Sequence, residues 1–73
     1  MNELFDGERV YTVSEVASAL RVSPVTLVRA IHKGKLRAFR VEGQWRILGR
    51  EAMRYLYKET ERTLTGRLSR PPD

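Results

Sequence analysis

The stretch RVSPVTLVRAIHKGKL, residues 21–36, contains the signals that begin and end a short helix. Ser23 is a preferred N-cap residue, and Pro24 suits the first helical position because its missing N–H would have no partner there. Gly34 is the usual left-handed residue that follows a helix. These signals predict a helix over residues 24–33.

Another helix is predicted earlier in the chain, directly before this one. In TVSEVASAL, Thr12 is the expected N-cap and Glu15 completes a capping box, in which each side chain accepts a bond from the other residue's backbone N–H. Apolar side chains then recur on one helix face at Val13, Val16, Ala17 and Leu20. Only residues 21–23 separate the two helices, which is the length of a helix-turn-helix corner.

The period of the apolar residues changes from 3.6 toward 2 after Leu36. RAFRV and QWRIL flank Glu42-Gly43, which predicts a β-hairpin over residues 37–48. We expect Phe39 and Val41 to face Trp45 and Ile47, so that Trp45 fills the core. The alternative for Trp45 is stacking on a nucleic-acid base.

A third helix is predicted to begin at Gly49. Its residues at helical spacing are Met53, Leu56, Tyr57, Thr60 and Leu64. Met53, Leu56 and Tyr57 would pack inward, whereas Tyr55 and Leu64 would look outward. Completing a small core is the simpler interpretation of this stripe. Self-association, which would raise affinity by occupying neighbouring sites, is the alternative.

Composition narrows the class of protein. With 73 residues the chain is one small domain, too small for a deep catalytic cavity. The absence of cysteine and the single histidine exclude thiolate chemistry and a His-rich metal site, and we expect no cofactor and no enzymatic activity. The net charge is +5, with a pI near 10.2, which favours an anionic partner.

The positive charge is concentrated in the middle of the chain. Residues 21–46 hold Glu42 alone against seven cations, a net charge of +6, and these cations are Arg21, Arg29, Lys33, Lys35, Arg37, Arg40 and Arg46. A solvated basic surface is the simpler explanation. Phosphate neutralisation is favoured because the helix-turn-helix corner points to it independently.

The outward face of the predicted second helix has side chains suited to a DNA major groove. With Leu27 and Ile31 in the core, Val25 and Arg29 lie nearly opposite and Thr26 lies on a flank. Arginine can chelate guanine, threonine can bond a base or phosphate, and valine can touch a thymine methyl. Val25 packing against the core is the alternative for that residue.

Residues 11 to about 56 resemble the excisionase-like and MerR-like winged helix-turn-helix domains. The matching residues are Thr12-Val13, Glu15-Val16-Ala17, Leu20, Val22-Ser23, Thr26-Leu27, Ile31, Gly34, Leu36, Ala38, Arg40-Val41 and Trp45-Arg46-Ile47. The resemblance implies DNA binding through the second helix and the wing, in transcription regulators or recombination directionality factors. The wing tip departs from the family, because Glu42 stands where a basic residue is common.

The expected fold is therefore mainly α with a small hairpin, in the order (β)-α-α-β-β-α. Residues 1–9 would be a flexible lead-in, 10–64 the DNA-binding domain and 65–73 a disordered tail. Arg62 just before this tail, and Arg67 and Arg70 within it, would attract phosphate if this end of the chain is disordered. The expected DNA contacts are Thr12, Ser23, Pro24, Val25, Thr26, Arg29, Lys33, Lys35, Arg37, Arg40, Gln44 and Arg46.

The expected partner is double-stranded DNA, with no membrane and no small-molecule ligand. We expect a cytoplasmic, nucleoid-associated protein, since the first nine residues do not resemble an export signal and no apolar run reaches about 18 residues. An adaptor that binds an acidic protein partner through the basic face is the alternative function.

Overall fold

The computed structural model describes the backbone of residues 4–69 and the side chains of residues 4–62. The elements follow one another as β1 Val10–Thr12, α1 Val13–Leu20, α2 Pro24–His32, β2 Phe39–Val41, β3 Gln44–Leu48 and α3 Gly49–Ser69. No described helix is both long and apolar enough to cross a membrane. This order confirms the predicted winged helix-turn-helix fold.

The capping box that begins α1 is confirmed. The Thr12 hydroxyl accepts from the Glu15 N–H at 3.0 Å, and the Glu15 carboxylate accepts from the Thr12 N–H at 2.9 Å. The helix ends at Arg21, which has a left-handed φ of 60°, and the Val22 N–H closes the end by donating to the Ala17 carbonyl. Arginine rarely adopts this conformation, so the tight corner carries a local conformational cost.

Helix α2 begins and ends as the sequence predicts, within one residue. The Ser23 hydroxyl accepts from the Thr26 N–H at 3.4 Å, and Pro24 is the first helical residue. At the other end, Lys33 is the C-cap and Gly34 has a φ of 77°. The left-handed glycine turns the chain away from the helix axis.

The wing is a three-stranded antiparallel sheet in the order β1-β3-β2. Tyr11 on β1 lies opposite Ile47 on β3, so the strand before α1 is joined to the hairpin. Val41 pairs with Gln44 across Glu42 and Gly43, and both turn residues have positive φ, 51° and 80°. Two positive φ angles in a two-residue loop are the signature of a type I′ hairpin turn.

The predicted facing of Phe39 and Val41 toward Trp45 and Ile47 was wrong. The two-residue turn pairs Phe39 with Arg46 and Arg40 with Trp45. Directly paired residues point to the same side of a sheet, so Phe39 and Val41 lie on the face away from Ile47, where they are 43% and 41% exposed. Trp45 is half-buried on the inner face, beside Arg40.

The core lies between the two short helices, the inner face of the sheet and the start of α3. Its most buried residues are Phe5, Val16, Ala17, Leu27, Leu36, Ile47 and Ala52. Phe5 contradicts the expectation of a loose lead-in over residues 1–9: its ring packs edge-on against Tyr11 with 5.2 Å between centroids. Residues 4–9 are therefore part of the fold, whereas residues 1–3 lie outside the described range.

The close approach of this first segment explains Gly49 at the start of α3. The Gly49 N–H donates to the Arg9 carbonyl at 2.7 Å, and a Cβ on Gly49 would overlap the backbone carbonyl of Asp6. The Arg50 guanidinium also reaches Glu8 at 3.0 Å. Any larger residue at position 49 would push the first segment away from the helix.

Helix α3 continues to Ser69, past the predicted domain end at residue 64. Met53 is buried and Leu56 packs on the core as expected. The predicted orientations of Tyr55 and Tyr57, outward and inward, were wrong. Tyr55 packs against the core, whereas Tyr57 is 61% exposed. Residues 70–73 and the side chains of Leu64, Arg67 and Arg70 lie outside the described range.

Candidate nucleic-acid interface

The exposed face of α2 is the first component of the site. Leu27 and Ala30 are buried against the core, which turns Val25, Thr26 and Arg29 toward solvent. Val25 is 58% exposed, so it does not pack into the core. An apolar side chain, a hydroxyl and a guanidinium thus share one exposed helical surface.

The cations of this face have no partner inside the described part of the protein. Within residues 4–62, the ion pairs are Arg50–Glu8 and Arg62–Glu59, and neither involves Arg29 or Lys33. Both side chains are exposed on α2 or at its end. Their charge is therefore available to an anionic ligand without first breaking a protein contact.

The inner face of the wing meets the C-terminal end of α2. The Arg40 guanidinium lies over the Trp45 ring, 4.7 Å from its centroid, and the His32 ring packs edge-on to Trp45 at 6.2 Å. A cation–π contact at such an exposed position contributes about 0.5–1 kcal/mol and restricts the arginine. Trp45 thus contacts both Arg40 on the wing and His32 at the end of α2.

Comparison with known proteins agrees with this geometry. Residues 10–59 match the family described as the helix-turn-helix domain, of the excisionase-like type. The chain belongs to this family. The match spans more than half of the chain, from β1 into the middle of α3, and confirms the resemblance found in the sequence.

Membership of the helix-turn-helix family indicates a DNA-binding domain, with DNA as its partner. Proteins of this family are typically not enzymes. No curated protein and no solved structure matches the chain significantly.

The predicted contact residues on α2 and in the loop after it are all exposed. Ser23 and Pro24 begin the exposed face of α2, and the loop after the helix places further exposed cations at Lys35 and Arg37. Thr12 is half-buried, and its hydroxyl already caps α1. It retains one hydrogen that can be donated to a phosphate oxygen.

Two predicted wing residues lie apart from Arg40. Gln44 and Arg46 pair with Val41 and Phe39, so their side chains belong to the outer face of the sheet, whereas Arg40 belongs to the inner face. The Arg46 guanidinium donates to the Gln44 amide oxygen at 3.1 Å. Arg40, Gln44 and Arg46 therefore cannot form a single row along one face of the wing.

The wing tip joins the two faces. Glu42 and Gly43 are both exposed there, and Gln44 follows at the start of β3. The carboxylate of Glu42 is the only negative charge between residues 21 and 46. A phosphate near the tip would therefore be repelled by Glu42 while Gln44 offered it a neutral amide donor.

Sequence reasoning missed the contact between Trp45 and His32, since they belong to different elements. Their meeting depends on how the wing packs against α2. The alternating pattern of β3 was visible, but the pairing register that places Arg40 over Trp45 depends on the turn geometry.

Proposed function

We propose that this chain is a sequence-specific double-stranded DNA-binding protein. Helix α2 lies in the major groove, and the wing over residues 37–48 lies along the backbone or the adjacent minor groove. The observation that carries the proposal is the exposed Arg29, which has no ion-pair partner within residues 4–62, beside Thr26 and Val25 on the helix that follows the turn.

We call Val25, Thr26 and Arg29 the reading face of α2, and each of them has a separate role in this proposal. Arg29 chelates the O6 and N7 atoms of a guanine, Thr26 bonds a base or a phosphate, and Val25 contacts a thymine methyl. A good bidentate arginine contact discriminates against the wrong base by about 1–3 kcal/mol. Arg29 is thus the main source of sequence preference.

The remaining cations position the protein on the duplex. Lys33, Lys35 and Arg37 follow the reading face along the chain and bind phosphates, which sets the register without reading bases. Arg40, oriented by Trp45, contacts the backbone from the wing. Thr12, Ser23, Pro24, Gln44 and Arg46 provide weaker contacts at the edges of the interface.

The biological role is that of a small transcriptional regulator or an excisionase-type architectural factor, located in the cytoplasm with the nucleoid. A single short module reads few base pairs, so useful specificity comes from neighbouring copies that bind cooperatively. The exposed Tyr57 on α3 offers a surface for such contacts. Sedimentation velocity with and without DNA would measure this association.

The experiment that tests the proposal is selection of bound duplexes from a randomised pool, followed by sequencing, for the wild type and for Arg29→Ala. The wild type should enrich a short motif containing guanine. Arg29→Ala should lose the preference at that position while keeping part of its affinity for any duplex, because phosphate contacts remain.

Arg54→Ala is the matched control, since Arg54 is an exposed arginine outside α2 and the wing. It should retain the motif. If the wild type binds no duplex at low salt, the proposal fails and the basic face has a protein partner instead. If the wild type does select a duplex, the bend of that duplex in the complex separates the regulator from the architectural factor, because an architectural factor increases the bend and a simple repressor need not.

A further inference from the structure

A basic groove lies between α2 and α3, and its α3 wall has cations to which the proposed function gives no role. Two adjoining pockets of about 230 and 360 Å³ share Lys35 and Glu59 on their walls. We call this surface the α2–α3 groove; its charged residues are Arg29, Lys33, Lys35, Lys58, Glu59 and Arg62.

The charge of the α2–α3 groove is strongly positive. Five cations face one carboxylate, and that carboxylate, Glu59, is paired with Arg62 at 2.9 Å. The pair is partly exposed, so solvent screens it and it contributes little to stability. An anion entering the groove can therefore draw the Arg62 guanidinium away from Glu59 at small cost.

The groove is continuous with the reading face of α2 but lies on a particular side of it. At 3.6 residues per turn, His32 and Thr26 are each about 60° from Arg29, in opposite directions around the helix. The wing touches α2 on the His32 side, and α3 lines the groove on the Thr26 side. The reading face is thus flanked by the wing on one side and by α3 on the other.

The dimensions of DNA give this arrangement a consequence. An α-helix with its side chains is about 10–12 Å across and fills a major groove of about 12 Å. With α2 in the major groove, as proposed, elements on both sides of α2 would face the two phosphate backbones that border the groove. The α2–α3 groove would then face the backbone on the side away from the wing.

We propose that α3 is a second backbone-binding element, in which Lys58 and Arg62 bind phosphates of the DNA strand on the side of α2 away from the wing. This inference rests on the proposed function. The protein thereby contacts the phosphate backbones on both borders of the major groove, through the wing on one border and through α3 on the other.

Tyr55 supports this assignment at the floor of the groove. Burial, and then the charge of Glu59, raises the pKa of its phenol, against the opposing effect of Arg62. A tyrosine phenol is protonated at neutral pH in any case, and this shift keeps it so, so the hydroxyl can donate to a phosphate oxygen.

The test is fluorescence anisotropy with the duplex that the wild type selects and with a random duplex, over a range of salt concentrations. The variant is Lys58→Gln combined with Arg62→Gln. The control, Arg9→Gln combined with Arg54→Gln, removes the same charge from two exposed arginines that do not line the groove. Circular dichroism verifies that both variants are folded.

The Lys58 and Arg62 double variant should weaken binding to both duplexes on the order of tenfold, and should reduce the slope of log affinity against log salt by about 1 per lost contact. Glu59→Gln should strengthen binding, because it frees Arg62 and removes a repulsive charge.

If the groove variant and the control lose the same affinity and slope, the inference about α3 is overturned. The proposed function survives that result when the wild type still shows its Arg29-dependent preference. If no duplex is bound at all, the proposed function itself fails, and the groove then has no DNA partner.

Discussion

Glu42, at the wing tip, is unfavourable both for the turn and for DNA binding. Glu42 has a φ of 51°, a left-handed conformation that is unusual for glutamate, because the type I′ turn requires it there. Asparagine or glycine would relieve this cost. The carboxylate also opposes phosphate contact, so the residue weakens whatever the tip contributes to DNA binding.

Glu42→Lys should therefore strengthen binding to any duplex and steepen its dependence on salt, since the tip gains two units of positive charge. Anisotropy titrations at several salt concentrations measure both effects. Glu61→Lys is the control, because it makes the same charge change at an exposed position of α3 that does not line the α2–α3 groove. Equal affinities for the wild type and Glu42→Lys would place the tip away from DNA.

Residue-level signals were the most predictable part of the fold. Thr12 with Glu15, and Ser23 with Pro24, act within a few positions of one another, so the sequence alone identified both helix starts. Arg21 shows the limit of this reasoning. Its left-handed conformation is imposed by the short connection between α1 and α2, and nothing in an arginine side chain favours it.

At the scale of secondary-structure elements, the hairpin was predictable but its register was not. The sequence EG between two apolar-alternating runs indicates a turn, yet shifting the pairing by one residue exchanges the two faces. Phe39 and Val41 are consequently on the outer face of the sheet, as is Val10, and all three are exposed. Hydrophobicity alone assigns such residues to the core.

This register makes a prediction about stability. Ile47→Ala should lower the free energy of unfolding by about 2–5 kcal/mol, because Ile47 is fully buried and its loss leaves a cavity. Phe39→Ala should cost no more than about 1 kcal/mol, despite removing a larger side chain, since Phe39 is largely exposed.

Urea denaturation monitored by circular dichroism compares the two variants. The midpoints are compared only if the m-value, the slope of the unfolding free energy against urea concentration, is unchanged. A larger loss for Phe39→Ala than for Ile47→Ala would require the opposite facing of the hairpin.

Packing between elements that are far apart along the chain could not be predicted from the sequence. Phe5 lies within a polar, glycine-containing segment, residues 1–9, and no pattern among its neighbours in the sequence predicts a core residue. Its burial depends on the segment crossing the start of α3, where Gly49 leaves room for the chain. The same non-local packing brings Lys58 and Arg62 of α3 to Lys35.

On the scale of the whole molecule, the short helices are held in place by elements from both ends of the chain. The protein measures 47 × 30 × 18 Å, and its long α3 accounts for about 31 Å at 1.5 Å per residue. The wing and α3 leave the outward surface of α2 uncovered between them. A small domain thus presents one helix while its core remains closed behind it.

The net charge of +5 acts over the same scale. Charge complementarity raises the rate of encounter with DNA and the affinity for any sequence, and salt weakens both effects. It does not by itself choose a sequence. We propose that a few side chains on α2 make that choice.

The most direct test of that claim is a map of backbone amide shifts in a ¹⁵N-labelled sample during titration with the selected duplex. The largest shifts are expected over residues 23–33 and at Arg40, with smaller shifts at Phe39 and Val41 on the outer face of the wing. Shifts concentrated on that outer face, with residues 23–33 unchanged, would contradict the proposal that α2 reads the DNA sequence.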